Sequence, residues 1–406
     1  RQRQMCIRDR GAQAHATYLA RNLGRPEVAG LRVHEEDQSL PGATAEGAAA
    51  AKRSHVSSGD RSASSMIDGL IGAPLHRHAL MDPRLDRIAV GRAGDGSAAA
   101  PYQWVVDLSS ADHPWAGPPV AVAYPGPGQM HVPTRFPEGE TPDPRAAVAG
   151  PAAALGGMGY PVTLSFFGCW PTATTARLTS LGTALPDGTI VPMGEADVPI
   201  HLLTPGTTIR TDTGDRAVEP VLFFARDVLR PQTAYRATVV ATCGSLGTST
   251  YEWSFATRPR LRPADVSVAV GAPSVGGAQD VVLVAEAGGI AVPARVSEVQ
   301  ASFTTQGSRT GAGPVIGGAP EIVLDEAQAD SYGRMRLRIN LRGATSADVT
   351  AIVTDAYADH EGAAVPVTFT MRPVASGADK VVVPSTAPFS RLQDSRPSWV
   401  PDPIGR

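Results

Sequence analysis

Two periodicities divide the chain. Near its start apolar residues recur at helical spacing: residues 12–23 are alanine-rich, and Tyr18 and Leu19 follow His15 at the positions that share its helical face. Thr44 stands ahead of Ala45, Glu46 and an alanine run ending at Lys52, the layout of a capped helix with an acid at its positive end and bases at the other. A third helix is expected over 64–71, where Met66, Ile67, Leu70 and Ile71 form an apolar stripe. Two strands come next, at 87–92 and 102–108, the second carrying Tyr102, Trp104, Val105 and Val106. From Tyr160 the helical period is gone. Runs of strand character recur at 162–167, 176–181, 200–203, 221–224, 235–242 and 251–257, separated by turn signals such as Pro186-Asp187-Gly188. A second set lies at 266–270, 280–285, 296–304, 334–341, 349–354 and 364–371.

Between the helical and strand regimes, Pro114, Pro118, Pro119, Pro125, Pro127, Pro133, Pro137, Pro142 and Pro144 interrupt any periodicity. The chain of 406 residues exceeds one ordinary core, so several domains are expected. Residues 1–10, RQRQMCIRDR, match neither a secretory signal nor the alanine-rich residues after them, and read as foreign, adapter-derived sequence. Residues 11–112 read as a compact α+β domain truncated at its N-terminus, and 113–158 as a Pro/Gly-rich linker. Two all-β sandwich domains are expected at 159–258 and 259–374, then a disordered tail at 375–406 rich in Ser, Pro and Asp. Leu229-Arg230-Pro231-Gln232-Thr233-Ala234-Tyr235 before Val239, with Trp253 and Phe255 beyond, resembles the late strands of bacterial Ig-like and fibronectin-like domains. That resemblance implies a corner hydrogen bond for Tyr235 and a core position for Trp253.

Composition narrows the function classes. Glycine at 42 and proline at 36 residues, with only 5% aromatics, favour short strands and many turns over helical bundles. A formal net charge of −3 without a clustered basic stretch removes the electrostatic footprint of nucleic-acid binding. No run approaches the roughly 18 apolar residues of a membrane span. Lysine occurs only at Lys52 and Lys380 against a large excess of arginine, a coding bias of high-GC bacteria from which no catalytic role follows.

Candidate chemistry is concentrated in the first 113 residues, which hold His15, His34, His55, His76, His78 and His113. Imidazole and carboxylate together are the usual ligands of zinc or another divalent metal, which singles out His34, Glu35, Glu36, Glu46, Asp68, His76 and His78. A zincin helix is excluded, because Gln38 stands where its second histidine belongs. His15 suits a helix face, and His55 suits the loop of Ser54, Ser57 and Ser58. No nucleophile elbow, phosphate loop or dinucleotide fingerprint occurs.

Taken in order, Ala14-His15-Ala16-Thr17-Tyr18-Leu19-Ala20, Val33-His34-Glu35-Glu36, Glu46, Met66-Ile67-Asp68, Ala73-Pro74-Leu75-His76-Arg77 and Ile88-Ala89-Val90-Gly91 resemble a bacterial CAP-superfamily domain, the group of cysteine-rich secretory, antigen 5 and pathogenesis-related (SCP-like) proteins. The resemblance implies an α-β-α sandwich at the N-terminus. It also implies a central cleft lined by His34, Glu46 and His76, with Arg77 as the arginine of the last element and Asp68 as the nearest candidate for a fourth, acidic member. Two histidines and one carboxylate plus water would suffice for an open zinc site. The family is extracellular, which implies a secreted or cell-surface protein whose signal peptide lies outside this chain. In that setting Cys169 and Cys243, an even pair within one β-rich segment, are candidates for a disulfide, the alternative being two buried thiols.

Three functions compete on these readings. The first is a secreted or surface CAP-domain protein that binds an extracellular lipid, glycan or divalent metal in the His34, Glu46 and His76 cleft, with Ig-like domains as spacers or adhesion modules. The second is a metal-dependent hydrolase or peptidase using the same trio, with Glu35 or Glu36 as general base. The third is a structural surface protein with a degenerate front domain. The resemblance favours the first; the oligomeric state is open.

Overall fold

A computed structural model describes residues 2–371 apart from 60–61, 98, 112–113, 137–139, 149–156, 186, 212, 245–246, 260, 262, 274–277, 288–289, 292–293, 306–320, 327–333, 342–343 and 356–363. The expected tail at 375–406 lies outside the described residues. The front unit contains α1 (Gln2–Arg21), α2 (Ala45–Ala51), β1 (Ser54–Ser58), α3 (Ala63–Gly72), α4 (Pro74–Leu80), β2 (Ala89–Ala93) and β3 (Gln103–Asp107). Residues 2–10, read from the sequence as foreign, belong to the helix of α1.

The strands form an antiparallel sheet in the order β1-β3-β2. Its middle strand is buried along its whole length and sends alternate side chains to opposite faces. Val105 meets Ala12, Ala16 and Leu19 of α1, while Trp104 and Val106 meet Met66 and Leu70 of α3. Gly91 makes the first contact close, because a Cβ there would collide with the backbone at Ala12.

The expected α-β-α sandwich of the CAP kind is not what the chain forms. Among the described residues strand exceeds helix by 48% to 19%, and the four α-helices all lie in the front unit, around a sheet of only three strands. The causes are local. The alanine run supports only the seven residues of α2, and residues Pro26–Val28 and Gly30–His34 close into 3-10 turns. The remaining short helix, α4, is committed to the neighbouring domain. The sequence reading does not foresee it, although Pro74 stands at its first turn, where a missing N–H costs nothing.

The second unit comprises β4 (Val120–Tyr124), β5 (Gln129–Val132), β6 (Val162–Phe167), β7 (Thr172–Ala184), β8 (Ile190–Val198), β9 (Ile200–Leu203), β10 (Thr208–Thr211), β11 (Gly214–Ala217), β12 (Val221–Ala225), β13 (Thr233–Thr242) and β14 (Thr248–Thr257). Two sheets, β4-β6-β12-β9 and β5-β14-β13-β7-β8, enclose a core that includes Val162, Leu164, Phe223, Tyr235, Val239, Trp253 and Phe255. The proline-rich stretch is therefore more than linker, since β4 and β5 each join a sheet. The Tyr235 hydroxyl accepts a hydrogen bond from the Arg230 backbone N–H at 2.8 Å and fixes the turn into β13. Cys169 and Cys243 form a disulfide, with Cα atoms 5.9 Å apart.

The third unit comprises β15 (Val266–Pro273), β16 (Ala278–Ala287), β17 (Ile290–Ala291), β18 (Ala294–Thr305), β19 (Glu321–Glu326), β20 (Arg334–Asn340), β21 (Ala344–Asp355) and β22 (Ala364–Met371). Its sheets, β15-β16-β20-β19 with β17 beside β16, and β18-β21-β22, share the core of Leu283, Leu337, Ile339, Val349 and Val353.

Helix α4 joins the first two units. Leu75 enters a cluster with Phe136, Leu203, Ile209, Leu222 and Phe224 of the sandwich. Arg77 has no exposed surface. Its Nε donates to the Ile71 carbonyl at 2.6 Å, Nη1 to the Pro161 carbonyl at 3.0 Å and the Thr163 hydroxyl at 3.2 Å, and Nη2 to the Gly72 carbonyl at 3.3 Å. The guanidinium lies 4.3 Å from the Tyr124 ring centroid and 5.3 Å from that of Tyr160.

These contacts set two expected outcomes. Replacing both Cys169 and Cys243 by serine should cost about 4 kcal/mol, from the loop-closure entropy of a separation of 74 residues; denaturant titration with and without reductant measures it. Arg77→Lys keeps the charge but cannot span the four acceptors, and should cost more than about 2 kcal/mol in the same titration.

Candidate functional site

Histidines converge where the front unit meets the first sandwich. His34 ends a 3-10 turn, His55 lies on β1 and His76 on α4. The sandwich side supplies Arg216 from β11 and, from the segment after β5, Glu140. The hairpin of β10 and β11 is held against the front unit by the Leu31 N–H, which donates to the Thr213 hydroxyl at 3.1 Å.

The rings of His55 and His76 meet edge to face, with centroids 4.7 Å apart. His76 Nδ1 is 3.0 Å from Glu140 Oε1, and the same oxygen accepts the backbone N–H groups of Leu75 at 2.7 Å and His76 at 3.1 Å. Glu140 thereby caps α4 and orients the His76 ring. His34 Nδ1 donates to the Ala51 carbonyl at 3.3 Å.

Burial holds His34 below the ordinary imidazole pKa; the Ala51 hydrogen bond opposes this, while His76, His15 and Arg216 reinforce it. His55 is pushed well below it, first by burial and then by the nearby His76 and His34, against a hydrogen bond to the His76 backbone. Both shifts favour the neutral ring. His55 Nε2 and Glu140 Oε2 are buried without a hydrogen-bond partner.

This arrangement differs from the trio expected from the sequence. His34 feels the charge of His76, but the ring in contact with His76 is that of His55, which the sequence reading puts in a serine loop. Glu46 is exposed on the first turn of α2 and takes no part. The buried acid of this region is Glu36, whose Oε1 lies 3.0 Å from His15 Nδ1 and whose Oε2 accepts the Thr44 N–H at 2.8 Å. Gly47 leaves room for it, since a Cβ there would collide with the Glu36 carboxylate. His15 Nε2 donates to the Val33 carbonyl at 2.8 Å. Glu35 and Asp68 are exposed. Arg77 is a joint between domains, not a cleft residue.

Zinc does not fit the set of His34, Glu46 and His76. Among the described residues no group of three or more His, Cys, Asp or Glu side chains is arranged to hold a metal ion. With Glu35 in solvent and Glu36 committed to His15 and Thr44, neither is placed as the general base of a metal-bound water.

On the other side of α4, His78 stacks on Phe167 with centroids 4.9 Å apart, and its Nε2 lies 3.4 Å from Glu219 Oε2. Burial lowers its pKa, opposed by Glu219 and Asp82. Sequence reasoning could not have found Glu140, Arg216 or Glu219, because each reaches the histidines from a different domain.

No protein-family model matches the chain, and no curated protein matches it. Among solved structures it is similar to the Yersinia pseudotuberculosis adhesin InvE, at 14% identity and a TM-score of 0.21, covering 62% of this chain and 58% of that one. A likeness at that level carries no argument about function. Among the described residues no helix is long and apolar enough to cross a membrane.

The depressed histidines set the sign of a pH effect. As pH falls below the ordinary imidazole value of 6.5, the unfolded chain takes up protons before the folded rings of His34 and His55 do. Their contribution to stability is full above that pH and is lost as pH falls toward the folded values, at up to about 1.4 kcal/mol per pH unit for each group. His55→Phe should flatten this acid limb, as measured by denaturant titration across it.

Proposed function

We propose that the protein is a binding protein of an extracellular or cell-surface setting, whose ligand binds at the cluster of His34, His55, His76 and Glu140. The observation that carries this reading is the pair of orphaned acceptors, His55 Nε2 and Glu140 Oε2. Leaving a buried acceptor unpaired costs about 1–3 kcal/mol. A ligand presenting hydroxyl, amide or ammonium donors offsets that cost on binding, and neutral imidazoles beside a carboxylate suit such a ligand better than an anion. The disulfide is compatible with an oxidising compartment. Binding without turnover accords with the placement of Glu35 and Glu36, neither of which is free to move a proton at the cluster.

A thermal-shift screen of small alcohols, amides and amines at neutral pH tests the reading. Compounds that stabilise the wild type should lose their effect in His55→Phe and in Glu140→Gln, by at least tenfold in apparent affinity. Stabilisation retained in both variants, or found with no compound, overturns it.

A further inference from the structure

His76 and His78 stand two positions apart on α4 and so project from opposite sides of the helix. His78 faces a separate cavity of about 410 Å³, within the range of small-molecule pockets. Phe167 and Trp170 supply its aromatic wall from the sandwich, and Asp82, Arg84 and Glu219 join His78 as its polar groups. Trp170 is 54% exposed, an unusual setting for so large an apolar ring.

The wall is firmly held. Trp115 stacks on Phe167 with centroids 6.3 Å apart. Gly168, with φ of +83°, admits it, since a Cβ there would collide with the Trp115 indole. The disulfide at Cys169 fixes the corner between Phe167 and Trp170.

The charges in the cavity are paired within the protein. Both oxygens of Asp82 accept from Arg84, with Nε at 3.0 and 3.2 Å. Glu219 lies between His78 and Arg216, at 3.4 and 3.7 Å. The lining therefore presents hydrogen-bonding groups without a net field, which disfavours a strongly charged ligand. If His78 Nε2–H serves Glu219, its Nδ1 is left as an acceptor, and that atom is buried without a partner.

We propose that this cavity is a saccharide site, in which the C–H face of a sugar ring packs on Trp170 while adjacent hydroxyls bond to the polar groups of His78, Glu219 and the Asp82–Arg84 pair. Vicinal hydroxyls that both donate and accept match this lining, and an acyl chain would strip water from its charged pairs without offering them a hydrogen bond. The site does not depend on the His55 cluster binding a ligand.

Saturation-transfer NMR on the full chain, with methyl glucoside, methyl galactoside and N-acetylglucosamine as probes, tests it, with choline and benzoate as charged comparators. At least one sugar should bind with a Kd of about 1 mM. Trp170→Ala, a change at an exposed position, should weaken binding at least tenfold. His78→Phe, which keeps the stack on Phe167 but removes the polar ring nitrogens from the wall, should do the same. The proposal is overturned if no sugar binds, if only choline or benzoate binds, or if Trp170→Ala binds sugar as the wild type does.

Discussion

A guanidinium with no exposed surface holds the first two units in register. Moving a charge out of water is costly unless every donor finds an acceptor. For Arg77 the acceptors are three backbone carbonyls and a hydroxyl, with two tyrosine rings against its faces. The carbonyls of Ile71 and Gly72 belong to the end of α3, whereas Pro161 directly precedes β6 and Thr163 is its second residue. One side chain thus ties the last turn of a helix in one domain to the first residues of a strand in the other. Arginine suits this role because its planar fork can serve divergent acceptors at once, which an ammonium cannot.

The placement of α4 follows from that joint. A seven-residue helix is too short to be stable by propensity alone. Its order comes from the Glu140 carboxylate on its first N–H groups, from Leu75 in the sandwich cluster and from Arg77. All three constraints involve the sandwich. His76 and His78 are therefore positioned by the second domain although they belong to the first, and the candidate sites are properties of the junction. A division into a chemical front quarter and passive β-spacers does not survive this geometry.

What is legible in the sequence is local. Short runs of strand-forming residues mark β6, β12, β13 and β14; one buried face gives β13 its alternation, β6 and β12 are buried along their whole length, and the Arg230–Tyr235 corner rests on residues five apart. β1 escapes such a reading because Ser54-His55-Val56-Ser57-Ser58 is polar for a strand, and it pairs through its backbone with the strongly apolar β3. β4 is hidden by the prolines around it. The acid of the front unit is misplaced for a steric reason: Glu46 opens a helix, as a motif would have it, but the space beside it is reserved by Gly47 for Glu36. Glu140 approaches His76 across 64 residues, and no periodicity reports such a contact.

Buried polar groups left without partners are rare, because each subtracts from a net stability of only about 5–15 kcal/mol. Of eight such atoms among the described residues, three, His55 Nε2, Glu140 Oε2 and His78 Nδ1, lie around α4. They are set in surroundings that are otherwise densely bonded: Glu140 Oε1 accepts three hydrogen bonds while its other oxygen accepts none. An accidental misfit would relax by rotating the carboxylate, but the N-terminal turn of α4 holds one oxygen and so fixes the other. The same helix that the sandwich locks in place thereby holds Glu140 with one oxygen unpaired. Local cost maintained by rigid surroundings is the pattern expected of a site that a ligand completes.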